Sequence, residues 1–143
     1  MYYLIISFIA WIIAQCLKHV ARLFGRNRRI FSSSSRSSLL LSGGMPSAHS
    51  ATVVSLAVSI GLYEGWNSAI FALATLFAAV VIYDATMVRY SSGQQGDMIN
   101  RLISKQYTNI KPLRVAHGHT VLEVTAGAII GALVAIVAFF TTQ

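Results

Sequence analysis

Charge is what this 143-residue sequence has least of. Only 10 % of its residues are charged, where a soluble domain carries about 25 %. That shortfall argues against a soluble globular enzyme. The 55 % hydrophobic content and the mean hydropathy of +0.64 argue equally against a disordered chain or a coiled coil. Cysteine is nearly missing as well. A lone Cys16 excludes an internal disulfide framework and any Cys-based zinc site. No internal repeat is present, so a solenoid is excluded too. The length allows one domain.

What is present is a set of apolar runs and an excess of positive charge. Four stretches stand out: Tyr2 to Leu17, Ala48 to Tyr63, Trp66 to Tyr83 and Val121 to Phe140. Each is near the 17–25 residues that a helix needs to cross the hydrocarbon core. They are too long for strands and lack alternation. The expectation is an all-α integral membrane bundle of about four transmembrane helices, formed by residues 1–143 as a single domain. Loops 18–47 and 84–120 would lie between the spans. The first stretch has no basic n-region and no A-x-A site after it, so it reads as a retained helix.

Eleven basic residues against four acidic ones give a net charge of +7. In a soluble protein that would point to nucleic acid. In so apolar a chain it reflects the positive-inside rule and contact with anionic lipid. Lys18, Arg22, Arg26, Arg28, Arg29 and Arg36 lie between the first two stretches. Arg89, Arg101, Lys105, Lys111 and Arg114 lie between the last two. The opposite side has only Glu64, in a short turn. The long loops are therefore expected in the cytoplasm, with both termini outside, in the plasma membrane. The run from Ser32 to Ser38 reads as a connector.

An ionisable group in or beside a span is a functional hypothesis by default. Lys18, His49, Asp84 and Glu123 all fall near the cytoplasmic ends of their spans, where they could share one layer. Glu123 sits inside an apolar helix and needs a partner. His119, four residues earlier, lies on the same helical face. A carboxylate bound to one imidazole nitrogen fixes the tautomer and leaves the other nitrogen as base or nucleophile. Ser42-Gly43-Gly44-Met45-Pro46-Ser47-Ala48-His49 leads into the second helix. Its two glycines allow close backbone approach, and its proline and serine suit a helix start whose free N–H groups favour anions. With Lys18, Arg89 and Arg114 as cations, these residues suit phosphoryl transfer.

Pro46-Ser47-Ala48-His49 resembles the P-S-G-H motif of the type 2 phosphatidic acid phosphatase (PAP2) superfamily, which also includes the vanadium haloperoxidases. His119-Thr-Val-Leu-Glu123-Val-Thr-Ala-Gly127 resembles its H-x-x-x-D-V-x-A-G motif, with Glu for Asp. The closer resemblance is to the divergent PAP2 branch (DUF212), through Ala14-Gln15-x-x-Lys18, Gly43-Gly44-Met45-Pro46-Ser47, Tyr83-Asp84-Ala85, Val88-Arg89 and Gly118-His119-Thr120. The first cation motif of the superfamily departs here: Gly25 stands where its Arg is expected, and Arg26 falls one place late. In the third, Leu113 replaces Ser and Arg114 is one residue closer to the histidine.

The resemblance implies a PAP2-like core and a phosphatase that uses no metal or cofactor. His119 would attack phosphorus, Glu123 would orient it, and His49 would serve as acid and then base. Lys18, Arg89, Arg114 and the backbone N–H groups around Ser47 and Ala48 would hold the phosphate, with Gly44 and Asp84 in support. The partner implied is a lipid phosphate among membrane lipids, not nucleic acid. Four spans make a thin wall around such a site, which a homodimer would thicken. Two rival readings are a non-catalytic lipid-phosphate binder or transporter and a structural protein whose polar residues only tie helices together. Gly127 and Gly131 form a Gly-x-x-x-Gly step suited to close helix packing, within or between protomers.

Overall fold

A computed structural model of the chain describes residues 2–24, 45–106, 110–113, 115 and 118–142. Among these residues all regular structure is helical. Helix α1 spans Tyr2–Phe24, α2 Ala48–Glu64 and α3 Ala69–Tyr83. A five-residue π-helical turn, Asp84–Val88, carries α3 directly into α4, Arg89–Gln106; α5 spans Val121–Thr142.

Three helical stretches are long and apolar enough to cross a membrane: Tyr2–Ala21, Val121–Thr142, and the continuous helix beginning at Ala69. Helix α2, with 17 residues, would be about 26 Å long. It is less apolar by composition than α1, α3 or α5, and it is also the one that they enclose. It packs against α1, α3 and α5. Its inward positions include Ser50, Ser55 and Ser59, and the largest fully buried side chains in the described chain are serines.

The burial pattern is that of a helical bundle in lipid. Ala10, Ala14, Ala51, Ala57, Ala74, Ala78 and Ala135 are buried, while Ile5, Phe8, Leu73, Leu76, Phe77, Leu133 and Val137 are exposed. Lipid is as apolar as leucine, so large side chains gain little by turning inward. Small ones let backbones approach and make close contacts. The Gly-x-x-x-Gly step shows this directly. A Cβ on Gly127 would lie 2.2 Å from the Ser47 carbonyl oxygen, and one on Gly131 2.2 Å from that of Ala51. The step therefore packs α5 on α2 within one chain.

The matched register makes α2 and α5 parallel, with α1 antiparallel to both. Tyr3 at the start of α1 hydrogen-bonds Glu64 at the end of α2, and Tyr63 hydrogen-bonds Thr142 at the end of α5. The opposite end of the bundle collects Lys18, His49, Asp84 and His119.

Three element boundaries differ from the sequence reading. Helix α1 continues past Leu17 to Phe24, so Lys18 and His19 are helical rather than in a loop. Helix α3 begins only at Ala69, because Ser68 caps it by accepting a hydrogen bond from the Phe71 N–H at 3.2 Å; Trp66 stays exposed in the turn. The stretch 84–106, read as loop, is helical. Its Ser91-Ser92-Gly93 and Gly96 look like breakers, and it has no long apolar run. The preceding helix supplies its nucleus, so propagation is all that this polar stretch has to provide.

Candidate active site

The site is built from four elements. The first turn of α5 supplies Glu123, and the residue before its cap supplies His119. The His119 Nδ1 lies 3.0 Å from Glu123 Oε2. Since an ionised carboxylate only accepts, Nδ1 carries the proton and Nε2 keeps a bare lone pair. The pair is largely withdrawn from water: His119 is 4 % exposed, and the Glu123 side chain 20 %.

Glu123 also ends the helix properly. Its Oε2 accepts from the Thr120 N–H at 3.2 Å, and Thr120 Oγ1 accepts from the Glu123 N–H at 3.3 Å. This is a reciprocal capping box. One carboxylate thus caps α5, sits where the helix dipole favours negative charge, and holds the histidine. Its sequence signal is Thr120-x-x-Glu123.

Helix α2 supplies His49 from its first turn. Its ring centroid lies 6.5 Å from that of His119, with the planes at 61°. His49 is on the open side of the site and His119 on the closed side. Ser47, fully buried, caps α2: its Oγ accepts from the Ser50 N–H at 3.4 Å. Its own N–H donates to the Glu123 carbonyl oxygen at 3.0 Å. This N–H joins the two helix starts. Ala48, also buried, follows it as the first residue of α2.

The π turn supplies the third wall. In a regular helix the Ala85 carbonyl would accept from the N–H four residues on, that of Arg89. Here the Arg89 N–H reaches back five residues, to the Asp84 carbonyl. The Ala85 carbonyl accepts instead from the His119 N–H at 2.9 Å. A single-turn π segment at a functional site is a recurrent device. In this chain it places the histidine backbone.

Charge surrounds the pair of rings. Arg89, Lys18, Asp84 and His119 all lie within electrostatic range of His49. Lys18, on α1, is only 6 % exposed, which marks it as held rather than snorkelling. Asp84 pairs with Arg89, Oδ2 to Nε at 2.6 Å, in a half-exposed setting. Its partner is therefore the first residue of α4, just past the π turn. His19 hydrogen-bonds the Gln15 carbonyl through Nδ1 at 3.1 Å, within its own helix. Gly44, Arg114, His117 and the serine run 32–38 lie outside the described residues. No group of three or more His, Cys, Asp or Glu side chains among the described residues is arranged to hold a metal ion.

A histidine with its carboxylate partner and a second histidine thus meet at one end of a helical bundle that has three stretches long and apolar enough to cross a membrane. The chain belongs to the Divergent PAP2 family (DUF212), which matches residues 1–134. A relative from Bacillus subtilis (strain 168), the uncharacterized membrane protein YuiD, is 34 % identical over 110 residues, 66 % of this chain and 70 % of its own length. No solved structure matches the chain.

Proposed function

We propose that this protein is a membrane-embedded, metal-independent phosphatase that cleaves a lipid phosphate through a phosphohistidine. The observation that carries the reading is His119, fixed by Glu123 through Nδ1, with the His49 ring 6.5 Å away. That separation is on the scale of a phosphoryl group held between a nucleophile and a proton donor.

In the first step the His119 Nε2 lone pair attacks phosphorus and the bond to the leaving oxygen breaks. His49 gives that oxygen its proton. In the second, His49 takes a proton from water as the water oxygen attacks phosphorus. The P–N bond breaks, inorganic phosphate leaves, and the Nε2 lone pair is restored. Glu123 stabilises the positive charge on the His119 ring in between. Lys18 and Arg89 are the described cations suited to the equatorial oxygens; Arg114 is a further candidate from the sequence. A lipid suits this placement, since its tail stays in the bilayer while its phosphate meets the cations. The basic loops support a cytoplasmic site in the plasma membrane, with both termini outside.

The test is phosphate release by the purified protein in detergent, from a panel of lipid phosphates, with chelator present. Release that resists chelator, is inhibited by vanadate and disappears in a folded His119→Ala variant is the expected result. Bound lipid phosphate without turnover would replace the enzyme reading with that of a binder or transporter.

A further inference from the structure

His119 is buried while His49 is exposed. Ahead of His119 in sequence, the described segment 110–113 lies beside α4. The Asn100 side chain pairs with one residue of this segment twice. Its Nδ2 donates to the Leu113 carbonyl at 2.9 Å, and its Oδ1 accepts from the Leu113 N–H at 2.7 Å. An amide side chain here does the work of a neighbouring strand. Further on, Val115 packs over Gly96, where a Cβ would meet its methyl carbons at 2.7 and 2.9 Å. At Gly118 a Cβ would lie 2.4 Å from the Tyr90 nitrogen and 2.8 Å from the Ala85 carbonyl oxygen. The last contact is the His119 N–H on that same Ala85 oxygen.

These contacts descend α4 into the π turn in order: Leu113 on residue 100, Val115 on 96, Gly118 on 90, His119 on 85. We infer that Asn100 and Gly118 are positioning residues for His119, and that the contacts of Leu113, Val115 and Gly118 act as a strap, pinned to α4, that sets the depth and orientation of the ring. Glu123 fixes the ring from one side only. A one-sided hydrogen bond leaves the backbone of residue 119 free to slide, and the strap removes that freedom. Gly118 is required because only a residue without Cβ brings the chain within reach of the carbonyl freed by the π turn. Asn100 is required because its amide offers a donor and an acceptor together. The first half of the test rests on the phosphatase reading, and the second half does not.

The experiment uses the full chain in detergent, with Asn100→Ala, Asn100→Asp, Gly118→Ala and, as a control on the same arm, Ser104→Ala. The Ser104 hydroxyl donates to the Arg101 carbonyl of its own helix. Two quantities are read: kcat and KM on a lipid phosphate, and the rate at which diethyl pyrocarbonate modifies His119, mapped by mass spectrometry. Asn100→Ala is expected to lower kcat by about 10- to 100-fold, the cost of a small misplacement of a reacting group. KM should stay within about twofold, because phosphate binding is left in place. His119 should be modified faster. Asn100→Asp, which keeps only the acceptor, should fall between Asn100→Ala and wild type, and Ser104→Ala should match wild type. Gly118→Ala should show the largest effect. Equal kcat and equal His119 modification in wild type and Asn100→Ala would overturn the assignment. If wild type shows no turnover while the modification rates follow the expected order, the phosphatase reading fails and the strap stands.

Discussion

His119 and Glu123 stand four residues apart in sequence and 3.0 Å apart in space, and the carboxylate that orients the histidine also caps the helix it belongs to. The two duties separate by substitution. Glutamine serves a capping box as glutamate does but carries no charge to stabilise an imidazolium. Glu123→Gln should therefore keep its thermal stability and lose about 10²- to 10⁴-fold in kcat, as expected when the orienting carboxylate of a catalytic histidine is neutralised. Glu123→Ala should lose both. Thermal unfolding and kinetics on the same preparations check this.

His49 and His119 should fail differently. With an activated aryl phosphate the leaving group needs no proton, so His49→Ala should still form the phosphohistidine. Without its base the second step slows, and the phosphoenzyme should accumulate as an acid-labile, base-stable phosphate. His119→Ala should form none. Rapid quenching with labelled substrate separates the two. Equal phosphoenzyme levels in His49→Ala and wild type would remove His49 from the second step.

Gly127→Ala should damage the site from within the membrane. The added Cβ would sit 2.2 Å from the Ser47 carbonyl, and Ser47 in turn donates to the Glu123 carbonyl. Separating the helices forces both helix starts apart. Overpacking of this kind costs about 1–3 kcal/mol, so unfolding in detergent should shift accordingly and turnover should fall with it. Ala128→Gly, on the partly exposed neighbouring position, should affect activity little.

Asp84→Asn should tighten phosphate binding. Asp84 shares the Arg89 guanidinium and adds negative charge near His49. Because the pair is about half exposed, its loss should change stability by no more than about 1 kcal/mol. Neutralising it leaves Arg89 for the substrate, and KM should fall while thermal stability is nearly unchanged. A rise in KM would mean instead that Asp84 holds Arg89 in its working position.

The orientation is open to a direct check. In a Cys16→Ser background, a cysteine at Asn67 should react with a membrane-impermeant maleimide added to intact cells. One at Ser104 should react only after permeabilisation. The reverse pattern would put the histidines on the outer face and change which leaflet supplies the substrate.

Much of the fold was legible because a bilayer leaves the chain few choices. Backbone groups in hydrocarbon have no water to bond, so apolar runs of this length become helices. The His119–Glu123 pair was legible for a similarly local reason, since residues four apart on one helix meet. The boundaries of α1 and α4 were less so. Helix ends in polar sequence depend on what nucleates them and what packs beside them, and neither appears in composition.

The rest of the site was decided in three dimensions. His49 and His119 lie 70 residues apart, and they meet because Gly127 and Gly131 let α5 settle against the backbone of α2. The bond from the Ser47 N–H to the Glu123 carbonyl joins two helix starts that are far apart in sequence. The partner of Asp84, and the π turn that frees the Ala85 carbonyl for His119, have no counterpart in a linear pattern. By itself the sequence determined a helical bundle apolar enough for a membrane, and it marked which side chains are candidates for chemistry, because hydropathy and residue type are properties of single positions and near neighbours. Only the tertiary structure decided which backbone groups are spent on one another and which rings face each other. Those are outcomes of competition among every donor and acceptor in the packed chain.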